Sequence, residues 1–298
     1  MSRAALYRDR FARNRPAALS AALLFALACA SLGAPLLALL MAQDPGVVDL
    51  YHRLEGPSHA HPLGTDELGR DLLLRLLAGG RVSLTVGIMG ALAAAVVGTA
   101  IGLVAGYRGG FVDAILMRTT DAVISLPLLP LLIVLAAIDL RKLGLPSDLA
   151  RSEMASLYRI VALVALVGWT TVARIVRGAT LSLKTRDFVR AAVGLGASPA
   201  RVMLVHILPN LTAPIVVATA LSVGNVILLE SVLSFLGLGI APPLASWGAM
   251  LSGAQETITI APSLAIYPGL LIFLVVVACN LVGDGLQDAL DPRTPRSR

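Results

Sequence analysis

The chain reads as an all-α membrane protein of six transmembrane helices, and three observations carry that reading. Hydrophobic residues fill 57% of its 298 positions and charged residues only 14%, where the wetted surface of a soluble domain needs about 25% charge. Six runs meet or approach the roughly 20 apolar residues that cross a bilayer core: 17–41, 82–107, 114–138, 158–176, 210–232 and 264–285. Finally, 16 of the 24 Lys and Arg fall in the two terminal tails, in alternate loops and, as Arg118 and Arg174, in the span ends beside them. The positive-inside rule puts that side, and both termini with it, in the cytoplasm.

The same numbers exclude several function classes. Net charge is +6, but aromatics are 4% and the basic residues are dispersed, so the excess is a membrane address and not a nucleic-acid footprint. Cys29 and Cys279 both sit in apolar runs, which leaves no disulfide framework and no thiolate metal cluster. There is no Gly-x4-Gly-Lys-Ser/Thr phosphate loop, no His-Glu-x-x-His and no Gly-x-Ser-x-Gly, so neither an ATPase nor a hydrolase has its usual machinery.

The first run follows Arg3, Arg8, Arg10, Arg13 and Arg15, as in a signal peptide, but its 25 uncharged residues exceed a signal h-region of about 7–15 residues. It is expected to remain as the first helix. Between it and the second run, Thr65 reads as the cap of an amphipathic helix on the outer leaflet. Its apolar side is Leu68, Leu72 and Leu76, with Asp66/Arg70 and Asp71/Arg75 paired one turn apart. His59 and His61 form an H-x-H with only His52 near; a solvated loop is expected, not a metal site.

The second run places Gly90, Ala94, Gly98, Gly102 and Gly106 on one face, allowing close approach of a helix of this chain or of a partner subunit. Ionisable residues in the later runs, Arg118, Asp121, Arg174, Glu230 and Asp284, stand towards the ends. The mid-membrane carboxylates and histidines of proton-coupled carriers are missing. In the fifth run Thr219, Ser222 and Asn225 step one turn at a time, with Glu230 further out. They line a path for a polar solute, or they bond between helices.

The loop at 183–210 is the most informative segment. Thr185 or Asp187 caps a short helix, Gly196 ends it in a left-handed conformation, and Ser198-Pro199 starts a second helix that should stop near Pro209. Ala191, Ala192 and Leu195 give the first helix a small apolar face. A solvated loop needs neither paired caps nor such a face, whereas docking into a groove of another protein uses both.

Arg190-Ala191-Ala192-x3-Gly196-x11-Leu208-Pro209 resembles the EAA signature of binding-protein-dependent ABC importer permeases. The words His61-Pro-Leu-Gly-Thr-Asp66, Leu68-Gly-Arg-Asp71, His206-Ile-Leu-Pro-Asn210, Leu233-Ser-Phe-Leu-Gly-Leu-Gly239, Ser246-Trp-Gly248 and Asp288-Ala-Leu-Asp-Pro292 are similar to the C-type permease of the dipeptide/oligopeptide branch. The likeness runs over about residues 60 to 293. It departs in two places: Arg190 stands where the signature usually has Glu, and the outer stretch 139–159 is longer than usual.

The resemblance implies a type I ABC importer permease fold, with residues 1–81 as tail, first helix and outer segment, and 82–298 as a five-helix core. It implies that Arg190, Ala191, Ala192, Gly196, Leu208 and Pro209 form the coupling element on an ATPase. The expected partners are a homologous second permease, two cytoplasmic ATPase subunits, an extracytoplasmic solute-binding protein and membrane lipid, in a bacterial inner membrane, with no nucleic acid. ATP and Mg belong to the ATPases, and no cofactor is expected on this chain. Peptides are the expected cargo, with nickel chelates and glutathione as the family's other substrates. A self-contained channel or carrier is the competing class, and it lacks both the mid-membrane charges and the internal repeats that would support it.

Overall fold

The computed structural model describes residues 3–138 and 153–290, and no strand occurs among them. In chain order the helices are α1 (Arg3–Arg13), α2 (Arg15–Leu32), α3 (Ala34–Met41), α4 (Leu72–Arg108), α5 (Gly110–Ser125), α6 (Leu128–Ala136), α7 (Glu153–Leu183), α8 (Asp187–Gly194), α9 (Thr212–Phe235), α10 (Trp247–Gly253) and α11 (Ser263–Leu290). Five of these, α2, α4, α7, α9 and α11, are long and apolar enough to cross a membrane, and α5 with α6, bent by 86° at their junction, brings the number to six when the pair is taken as one broken span. The expected outer insertion 139–159 lies mostly outside the described residues.

The bend has a local cause. Pro127 lacks an amide hydrogen and forces Leu126 into extended backbone, φ −72° and ψ 138°. The run 114–138 is therefore two helices joined at a bend, not one straight helix. The first run is likewise split, at Gly33 between α2 and α3.

The small-residue face of α4 packs inside the chain, which decides between the two readings of that stripe. A Cβ on Gly98 would stand 2.5 Å from the Trp169 carbonyl oxygen and one on Gly106 2.7 Å from Thr180 Cβ, both on α7. Ala94 faces Gly168 of the same helix. Around this seam, Val86, Ala91, Leu132, Ile160, Val164, Val226 and Leu233 form the core between α4, α6, α7 and α9. At the chain ends α2 packs on α11, and Asn14 Nδ2 donates to Asp288 Oδ2 at 3.3 Å. The start of α2 and the end of α11 therefore lie on one side of the bundle.

The expected amphipathic helix starting at Thr65 does not exist as a separate surface element. Asp71 is the N-cap, accepting from the Leu74 amide at 2.8 Å, and the helix it starts runs without interruption to Arg108. Leu72 and Leu76 are buried against Trp247, Met250 and Leu264 and do not lie on a leaflet. The domain division at 81/82 thus falls inside α4. Buried Asp66 organises the preceding turn: it accepts from the Leu68 and Arg70 amides and pairs with Arg70 at 2.7 Å and Arg75 at 3.1 Å. Arg75 therefore pairs with Asp66 instead of Asp71, whose second oxygen meets His61 Nδ1 at 3.0 Å. Nearby, His52 Nδ1 bonds Asp49 at 2.8 Å, which raises the imidazole's pKa and lowers the carboxyl's.

Candidate coupling loop and translocation face

The loop after α7 is built by caps. α8 begins at Asp187 after an extended Arg186, which supplies no side-chain cap, so neither Thr185 nor Asp187 caps it as expected. Asp187 instead places its carboxylate in the first turn, where the helix dipole favours it. The far end closes as expected. Gly196 has φ +84°, the Gly196 amide donates to the Val193 carbonyl at 2.9 Å, and Ala197 donates to Ala192 at 3.0 Å. Those two bonds satisfy the last carbonyls of the helix. Ser198 then caps the next segment through the Arg201 amide, with Pro199 in its first turn.

That second segment does not stop at Pro209. It widens to a π-helix over Val202–Ile207, tightens to a 3-10 turn over Leu208–Leu211, and continues directly into α9. Pro209 cannot donate to a preceding carbonyl, and the change of pitch accommodates it. Asn210 Nδ2 donates to the His206 carbonyl at 2.7 Å and Thr212 Oγ1 to the Pro209 carbonyl at 3.0 Å, so side chains replace bonds lost from the ladder.

The faces of α8 divide differently from the sequence expectation. Val189 and Ala192 turn inward and are buried, while Phe188, Arg190, Ala191 and Val193 face out and Leu195 is 89% exposed. Ala192 therefore belongs to the chain's own packing and not to the exposed face with Ala191 and Leu195. Val189 sits on an apolar floor of Leu103, Val172, Val176, Val202, Ile207 and Leu211, drawn from α4, α7 and the segment leading into α9. Beside it opens a cleft of about 810 Å³ with Arg108, Lys184 and Arg190 on its walls. Lys184 reaches the Gly106 carbonyl at 2.9 Å, tying the loop to α4. Leu208 is half-buried and Pro209 exposed.

The four residues expected to line a path are not brought together. The Thr219 and Ser222 hydroxyls each donate to a carbonyl four residues back on α9, both at 2.7 Å, so neither bonds between helices. Asn225 is exposed. Glu230 is wholly enclosed: it accepts from Ser234 at 2.7 Å and from Ser83 of α4 at 3.4 Å. Ser83 Oγ also accepts from the Trp247 amide at 3.2 Å, Ser234 Oγ accepts from Ser246, and Trp247 Nε1 donates to the Leu76 carbonyl at 2.8 Å. Glu230 is thus the centre of a knot joining α4, α9 and α10, and the loop 235–261 is fastened to the bundle by it.

Two ion pairs join the third and fourth runs; of their four residues the sequence singles out Asp121 and Arg174, without pairing them, and not Asp113 and Arg177, which lie just outside the runs. Arg177 forms a two-pronged bond with Asp113, at 2.5 and 2.6 Å, and Arg174 meets Asp121 at 2.5 Å, clamping α5 to α7. Opposite signs in neighbouring spans were the available signal. Among the described residues no group of three or more His, Cys, Asp or Glu is placed to hold a metal.

Five membrane-length apolar helices with the bent pair α5–α6, carrying a short helix with an exposed face at one end, define a multi-pass membrane component. Residues 98–296 match the family described as the binding-protein-dependent transport system inner membrane component, and the chain belongs to that family. It is a membrane permease component and not an ATPase. The glutathione transport system permease protein GsiD of Pectobacterium atrosepticum is 45% identical over 82% of this chain and 76% of its own length. The dipeptide transport system permease protein DppC of Alkalihalophilus pseudofirmus is 40% identical over 81% and 75%. The oligopeptide transport system permease protein OppC of Haemophilus influenzae is 40% identical over 78% and 70%.

Proposed function

We propose that this chain is one of two membrane subunits of an ATP-driven importer that passes short peptides, delivered by a binding protein, into the cytoplasm. One observation carries the reading: a family member whose relatives transport peptides presents α8 as a capped helix seated on α4, α7 and the start of α9. The termini, α8 and the basic cleft then face the cytoplasm, and the loop 235–261 faces the binding protein. Two ATPase subunits supply hydrolysis, and their ATP and Mg do not touch this chain. Arg190, Ala191 and Leu195 meet an ATPase, whereas Ala192, Gly196, Leu208 and Pro209 hold the geometry that presents them.

Glutathione is the second reading, supported by the 45% identity to the Pectobacterium protein. It is itself a short peptide, so the two readings differ in the binding protein's preference more than in the path. The test is reconstitution with the neighbouring transport genes in proteoliposomes, comparing ATP-dependent uptake of dialanine, trialanine and glutathione. Uptake by this chain alone, or ATP hydrolysis by it alone, overturns the proposal.

A further inference from the structure

We infer that the translocated solute passes along the exposed polar face of α5 and α7, and that Arg118 on that face receives its carboxylate. The inference rests on the peptide reading above and moves the path away from α9. On α5, Arg118, Asp121 and Ser125 follow at spacings of three and four, so they share one face, and all three are exposed. The adjoining α7 exposes Thr171 and Arg174 one turn apart, and the Asp121–Arg174 pair is half-open on both sides, at 49% and 50%. Measured from the nearer ends of the apolar runs 114–138 and 158–176, these charges lie roughly 3–11 Å inside at a rise of about 1.5 Å per residue, Asp121 deepest.

A short carboxylate inside an apolar span, as Asp121 is, does not face lipid. A long guanidinium can reach back to the headgroups, which would serve Arg118 alone, but Asp121 is short and lies further in. The face therefore meets water or protein. Among the described residues Arg118 has no ion pair or hydrogen bond, although Asp113 and Asp121 of its own helix are both engaged by α7 arginines. It is the cation left over when the clamp is formed. A peptide carries a carboxylate that suits a two-pronged guanidinium bond and an ammonium that suits the open side of Asp121. The face offers both signs within a single turn of helix.

The test uses the whole complex in proteoliposomes, with Cys29 and Cys279 replaced by Ser. Ser125→Cys should react with a membrane-impermeant maleimide during turnover at a rate within tenfold of Leu195→Cys; reaction only after denaturation overturns the water-lined face. Arg118→Gln should lower trialanine uptake at saturating binding protein about tenfold while stimulated ATPase stays within twofold, and Arg118→Lys should recover most of the loss. Unchanged uptake in Arg118→Gln overturns the assignment. So does failure of that variant to co-purify with the second permease, which would make the face a subunit interface. If the wild-type complex moves no trialanine, the peptide reading fails instead, and the labelling of Ser125→Cys alone then decides the face.

Discussion

Gly196 ends α8 with φ +84°, a conformation that costs a residue with a Cβ roughly 1–2 kcal/mol and a β-branched one more. Gly196→Val should therefore unseat α8: peptide uptake should fall at least tenfold while the assembled complex still purifies at normal yield, as checked by uptake and gel filtration on one preparation. The neighbouring alanines separate two roles that sequence alone gave jointly. Ala192 is buried, so Ala192→Leu should destabilise the loop by about 1–3 kcal/mol through overpacking, lowering the melting temperature of the complex. Ala191 is exposed, so Ala191→Leu should leave melting unchanged and reduce binding-protein-stimulated ATPase. Arg190 shares the cleft with Arg108 and Lys184, and such a wall calls for an acidic or carbonyl-rich partner. Arg190→Glu should impair coupling by several-fold in the uptake-to-ATP ratio, although it restores the residue usual in the family; a wild-type ratio would show that this position does not contact the ATPase.

At the scale of elements, the α4–α7 seam is the most demanding contact in the bundle. Gly98→Leu would drive a side chain into the Trp169 carbonyl and Val172, and the cost should be on the order of 3 kcal/mol or more. Loss of the folded chain from detergent extracts, measured by thermal unfolding, is the expected outcome. This seam was half legible: the spacing of Gly90 to Gly106 announced a close contact, but hydropathy is a local property and cannot name the partner helix. The spans were legible because they need only a run of apolar residues. The bend at Pro127 was not taken from a continuously apolar run, and the Asp71 cap was masked by Thr65-Asp66, an equally good local signal that serves a buried turn instead. Pro209 misled for a related reason. Proline predicts the end of a helix, yet here a change of pitch and two side-chain bonds carry the chain through it. In the site, the paired caps around Gly196 were readable, while Asp113–Arg177 and Asp121–Arg174 join residues 64 and 53 positions apart, beyond the reach of any local pattern.

For the whole molecule, the two ends are built for different work. The end that carries α8 presents exposed side chains on a short helix, whereas the opposite end is tied down by Glu230, Ser83 and Trp247. Cysteines placed singly at exposed positions of the outer loop, such as Ile258 or Ile260, should be labelled from the binding-protein side, and more slowly once the loaded binding protein docks. Labelling from the side that carries α8 would invert the topology.

The continuity of α4 adds a mechanical consequence. Its 37 residues make a rod of roughly 56 Å, nearly twice the hydrocarbon thickness of about 30 Å. One end is grasped by Lys184 and the floor beneath α8, the other by the Glu230 knot. A rod so held acts as a lever: a tilt of roughly 5° at one end displaces the other by roughly 5 Å over that length. A small rotation imposed at the α8 end can then reach the far end as a movement the width of a peptide backbone, with no hinge needed in between.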